Sequence, residues 1–145
     1  MSYSTWHNYG YGICTSDLKI DSVERIEELL AHAPEYRKEI HDWFEDCDNT
    51  KPTLDDYLDF DQDYSNGIAA ILQAVIKEAT GIEFSACDDI NCMRYLIYMP
   101  SYPWYMTDRD RTVTQDELDE VLKKYVSIVS DTKLDIDFQA AENGG

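Results

Sequence analysis

Positive charge is scarce in this chain: 12 Lys and Arg stand against 30 Asp and Glu in 145 residues, a formal net charge of −18. That deficit disfavours direct binding to phosphate backbones and to anionic membrane surfaces, which repel a chain of this charge. Long apolar runs are missing too. No stretch approaches the roughly 20 apolar residues that span a bilayer. The opening residues Met1 to Ser16 hold neither the Lys or Arg nor the apolar run of a secretory signal. A cytoplasmic location is the expectation.

Cysteine is sparse and irregular, with Cys14, Cys47, Cys87 and Cys92 forming no CxxC pair. The pattern fits small apolar side chains in a reducing compartment better than a disulfide framework. A zinc site built from them with His32 or His41 finds no support in the spacing. Cys87 and Cys92 flank a turn across which they can face one another. Equally absent are a glycine-rich phosphate loop, a Ser-His-Asp constellation, a basic patch and any cofactor motif. His7, His32 and His41 share no recognisable spacing, and His41 with Glu45 reads as a surface pair one turn apart on a helix.

What is present is enough apolar material to fold. The hydrophobic fraction is 43%, and 11 Tyr, 4 Phe and 3 Trp argue against disorder in spite of the charge. The length fits one domain, expected over 1–141, with 142–145 as a flexible tail.

The opening stretch from Tyr3 to Ile13 alternates as a strand, with Tyr9, Tyr11 and Ile13 on one face. Gly10 and Gly12 within it point to a bulge or a close backbone approach. Asp21 and Glu24 form a capping box for a helix carrying Val23, Ile26, Leu29 and Leu30. Pro34 opens a second helix, with Tyr36, Ile40, Trp43, Phe44 and Cys47 on its apolar side. Thr53 caps a short third helix holding Leu54, Tyr57 and Leu58.

The clearest helix runs from Ile68 through Ile71, Leu72, Val75, Ile76 and Ala79 and stops at Gly81. Two strands follow, Ile82–Cys87 and Met93–Met99, and then a stiff aromatic loop around Pro100 and Pro103. Thr114 and Glu117 cap a helix with Leu118, Val121, Leu122, Tyr125 and Val129. A last strand places Leu134, Ile136 and Phe138 inward. The element order predicts an α+β fold: a small antiparallel or mixed sheet of about four strands, with four to five helices packed mainly on one face.

The densest chemical feature is the acidic segment Glu45, Asp46, Asp48, Asp55, Asp56, Asp59, Asp61 and Asp63, eight acids against the single base Lys51. Spread over a globule of this mass, the net charge averages one per ~400 Å², against one per ~100 Å² on B-DNA. Gathered along a helix, the eight would lie one per ~3.5 Å, close to phosphate spacing along a strand, although Pro52 interrupts any continuous helix. Asp59-Phe60-Asp61-Gln62-Asp63 opens like an EF-hand loop. Tyr64 and Ala70 then stand where the turn glycine and the bidentate Glu belong, which argues against a dedicated calcium site.

The loop aromatics Tyr102, Trp104 and Tyr105 are held by two prolines and are candidate anchors beside the acidic strip. On class alone, the chain is similar in kind to small acidic inhibitors and immunity proteins that occupy the basic channel of a nucleic-acid enzyme. The terminal Gly144-Gly145 is similar to the diglycine end of ubiquitin-like proteins, but the helix-rich middle departs from that fold. The functional expectation is a non-enzymatic acidic binding protein that docks on a basic, nucleic-acid-handling protein by partial nucleic-acid mimicry. The alternatives are a small-molecule protein or enzyme with a cleft lined by Tyr9, Tyr11 and Tyr98, or a divalent-metal protein using Asp59, Asp61 and Asp63.

Overall fold

The computed structural model describes residues 5–58, 61–62, 65–88, 93–99 and 108–144, at backbone level only for 5–9, 61–62, 65–66, 88, 109–110 and 141–144. The elements run β1 (Thr5–Cys14), α1 (Val23–Leu30), α2 (Pro34–Asp46), α3 (Leu54–Leu58), β2 (Asp61–Gln62), β3 (Ser65–Asn66), α4 (Gly67–Thr80), β4 (Ser85–Asp88), β5 (Arg94–Tyr98), α5 (Asp108–Thr112), α6 (Gln115–Val129) and β6 (Asp137–Gly144). The main sheet has the order β4-β5-β1-β6 with every neighbouring pair antiparallel. This is the α+β class that the sequence order implies, and among the described residues the two five-residue helices α3 and α5 supplement the four longer ones.

β1 sits second from one edge and carries the sheet's geometry. Tyr11 pairs with Tyr98 and Ile13 with Leu96, and all four side chains are buried in the main hydrophobic cluster. On the alternate positions, Gly10 and Gly12 let β5 come close. A Cβ on Gly12 would stand 2.0 Å from the Leu96 carbonyl oxygen, so the close approach expected from the glycines is real.

α4 and α6 complete the core. In α4, Ile68, Ile71, Leu72, Val75 and Ile76 are buried, whereas Ala79 is exposed. Gly81 closes that helix with φ at 79°, the left-handed geometry that favours glycine at this point. In α6, the Thr114 hydroxyl accepts from the Glu117 amide at 3.2 Å, as the capping pattern predicts, and Leu118, Val121, Leu122, Tyr125 and Val129 are all buried.

Several local expectations shift. The cap of α1 is Ser22, whose hydroxyl accepts from the Arg25 amide, one residue beyond Asp21. α2 begins at Pro34, and its free Glu35 and Tyr36 amides donate to the carboxylate of Glu78 from α4. Its buried row is Tyr36, Ile40 and Phe44, while Trp43 is 45% exposed and Cys47 is exposed at the cap. A row at i, i+4, i+8 is one ridge of the helix, and Trp43 lies a full residue-step, about 100°, off it.

β4 begins at Ser85, leaving Ile82 and Phe84 buried in irregular chain. Cys87 faces Tyr95 across the ladder, and Cys92 lies outside the described residues. β6 begins at Asp137, so Leu134 and Ile136 precede it and are half-buried, while Phe138 is 53% exposed instead of inward. An edge strand lacks the second neighbour that would help cover its rim. Glu142–Gly144, read as tail, pair with Thr5–His7 as the end of that strand. No helix among the described residues is long and apolar enough to cross a membrane.

Candidate functional site

The acidic segment is not one helix. α2 ends at Asp46, Cys47 caps it, and Asp48 adopts φ 58°, which reverses the chain. The amide of Asn49 donates back to the Phe44 carbonyl at 2.8 Å, while its side-chain amide donates to Asp56 at 3.0 Å. The end of α2 and the start of α3 are thus tied together through Asn49. The charges gather around a turn instead of along a rod.

Within that turn the eight acids part company. Asp56 is a structural cap: its carboxylate accepts from the Thr53 amide at 2.7 Å and from Asn49, and these bonds hold its acid below the usual carboxylate range. It is taken out of the candidate docking set. Glu45, Asp46, Asp48 and Asp55 are exposed, and among the described residues none of them is in an ion pair. Asp61 is described at backbone level only, in the short β2–β3 ladder, and Asp59 and Asp63 lie outside the described residues. So do Tyr102, Trp104 and Tyr105.

The sequence reading missed an aromatic that lies directly beside these acids. Trp43 stands exposed on α2, one turn before Asp46, with its ring edge-on to Phe44 at 5.3 Å. Phe44 in turn meets the buried Tyr57 of α3 at 5.2 Å. The exposed ring is therefore backed by a fixed aromatic stack.

A second feature lies under the same turn. Glu27 of α1 accepts from the Tyr57 hydroxyl and lies 2.9 Å from His41 Nε2, both at Oε1, with Arg37 Nε 3.6 Å from Oε2. His41 thus pairs with Glu27 across two helices and not with Glu45. Partial burial alone would raise the Glu27 pKa, but the hydrogen bonds from Tyr57 and His41 and the charges of His41 and Arg37 outweigh it and lower it. Burial, and then the bond to Glu27, push the Tyr57 phenol well above its ordinary value. A cavity of about 370 Å³ opens beside this cluster, between α1, the end of α2 and the 49–52 loop.

The aromatic cleft considered from sequence is partly filled. Tyr11 and Tyr98 belong to the core, each 8% exposed, and the Tyr11 hydroxyl donates to Asp119 of α6 at 2.6 Å. What remains is an apolar hollow of about 270 Å³ bordered by Phe138, Val113 and Leu118. His32 is set against Tyr125, with ring centroids 5.6 Å apart. Among the described residues no group of His, Cys, Asp and Glu is arranged to hold a metal ion. Compared with known proteins, the chain matches no family model, no curated protein and no solved structure.

Proposed function

We propose that this chain is a non-enzymatic binding protein that docks its α2–α3 turn onto a basic protein, with Glu45, Asp46, Asp48 and Asp55 supplying charge and Trp43 the anchor. The observation that carries this reading is where the acids sit. Glu45 and Asp46 occupy the last turn of α2, which holds no base. The helix dipole makes that end negative even though the turn amides offset a share of it by donating to the Trp43, Phe44 and Glu45 carbonyls, so an acid there costs up to about 0.3–1 kcal/mol instead of stabilising the helix. Asp42 and Asp46, one turn apart, repel as well. A surface chosen only for solubility has no reason to place acids where the fold disfavours them. A partner that brings Lys and Arg to that end relieves all of these costs together.

Trp43 fits the same reading. An exposed tryptophan set in a charged rim has the composition of an interface hot spot. A nucleic-acid-handling partner is the class whose surface is already built to receive spaced negative charge, and the fit is to its cluster of basic side chains, not to a helical phosphate path. Steering by charge would speed association, and burial of the ring would slow release.

The test starts with capture of the partner from native cells at low salt and elution by a salt step. Its Kd is then measured across ionic strength against the parent chain and against a variant with Glu45→Gln, Asp46→Asn, Asp48→Asn and Asp55→Asn. The expected result is a Kd that rises at least about tenfold between low and high salt, and about tenfold again in the variant. Trp43→Ala is expected to raise the dissociation rate by about thirtyfold, the equivalent of a ~2 kcal/mol hot spot. A Kd indifferent to salt and to the four neutralisations overturns the proposal.

A further inference from the structure

We infer that the cavity between α1, the end of α2 and the 49–52 loop is a receptor for one guanidinium group, so that an arginine of the docking protein inserts there. This rests on the acidic docking reading, because the cavity opens beside the turn and shares Glu45 with it.

The walls select for charge first. Two carboxylates, Glu27 and Glu45, line the cavity, and the one permanent cation among its lining residues is Lys51. Arg37 contacts Glu27 but does not line the cavity, and its side chain is 50% exposed. An anionic ligand would meet both carboxylates and the field of a chain with net charge −18. A cation meets Glu27, whose Oε1 is occupied by Tyr57 and His41 while the nearest cation to Oε2, Arg37, stays at 3.6 Å, longer than a good hydrogen bond. A carboxylate has about four acceptor sites, so Glu27 retains capacity toward the hollow. Its existing bonds fix the carboxylate in place, and little ordering remains to be done on binding.

The walls select for shape second. Phe44, Val23 and Pro52 make the other sides apolar. A guanidinium is planar and weakly hydrated, so it can lie against such a wall while its N–H fork reaches the carboxylates, whereas a compact ammonium would be stripped of strong hydration. Lys51 is exposed on a flexible stem, and an incoming fork displaces it by rotation of that stem alone.

The probe is a blocked Gly-Arg-Gly peptide titrated into the full chain at ~20 mM salt, where screening is weak. Gly-Lys-Gly and Gly-citrulline-Gly serve as controls, and NMR reports the site. The arginine peptide is expected to shift the signals of Val23, Asn49, Thr50 and Tyr57. The lysine peptide should bind about threefold more weakly and the citrulline peptide about tenfold more weakly. Glu27→Gln is expected to weaken the arginine peptide at least about fivefold. Thr50→Trp adds bulk to the cavity from an exposed lining position and leaves Glu27, His41 and Tyr57 unsubstituted, and it should weaken binding by a similar factor even if Glu27→Gln perturbs the fold. Equal binding of the arginine and lysine peptides, with shifts spread over Asp46, Asp48 and Asp55 and unchanged in both variants, overturns the receptor and leaves the acidic docking surface standing. No binding by either cationic peptide overturns the receptor, while the docking surface stands or falls separately on the salt dependence of the partner's Kd.

Discussion

At Gly12 a methyl group has nowhere to go. Its ideal position lies 2.0 Å from the Leu96 carbonyl oxygen and 2.9 Å from the Ile97 Cα, both backbone atoms of a central strand that cannot yield without moving the sheet. Gly12→Ala is therefore expected to cost about 3 kcal/mol or more in urea unfolding, the upper end of overpacking penalties. Gly81→Ala, where the demand is only a left-handed backbone, should cost about 1–2 kcal/mol. The reverse order would mean that β1 and β5 are not held as close as described. Glu27 makes a different single-residue case. Its folded-state pKa is depressed below the ordinary 4.5, so its contribution is fully present above that value and is lost as pH falls through the lower folded value. Glu27→Gln should destabilise the chain by about 1–2 kcal/mol at neutral pH, discounted because the side chain is 32% exposed. The gap between the two melting temperatures should then hold at about pH 6 and close as the pH falls below about 4.5. A gap independent of pH would show that Glu27 acts through packing and not through its charge.

At the scale of elements, α2 carries a conflict between stability and role. Reversing its terminal charge with Glu45→Lys and Asp46→Lys places cations at the negative end of the helix dipole and removes the repulsion with Asp42. The expected outcome is a melting temperature raised by about 2–6 °C, together with loss of the partner's affinity. A double variant that melts lower, or that melts higher and still binds, would contradict the argument from placement. α4 and α6 were legible in the sequence because their stripes are wide and their ends carry unambiguous signals, Gly81 and Thr114. α2 was legible as a helix but not in its facing: residues 43 and 44 both fall within an apolar stripe, and only the elements packed against the helix decide which of them goes inside. β6 was misread for a related reason, since alternation cannot tell a covered strand from an edge where Phe138 stays half in solvent. The Glu27 cluster was illegible because residues 27, 41 and 57 come from three helices and meet only in the fold. Its one local trace is a carboxylate next to Ile26, at the border of the apolar stripe of α1.

For the whole molecule, charge acts on folding and on binding with opposite signs. Ion pairs among the described residues include Arg25 with Asp131, Lys38 with Asp42, Lys77 with Glu83 and Arg37 with Glu27, each with at least one exposed partner. Exposed pairs of this kind contribute little, typically 0–1 kcal/mol each. The 30 acids are far from neutralised by 12 bases, so the net electrostatic effect on the compact state is repulsion, which folding must overcome. Salt shortens the reach of that repulsion, from a Debye length of about 30 Å at 0.01 M to about 8 Å at 0.15 M. The melting temperature of the free chain is therefore expected to rise with added sodium chloride over that range, while affinity for a basic partner falls over the same range. The two curves, measured on one preparation, form a paired test. A melting temperature that falls with salt would mean that attractive pairs dominate the surface, and the acids around the α2–α3 turn would then already be balanced within the fold. Opposite slopes would instead place the unspent negative charge where an incoming basic surface can use it.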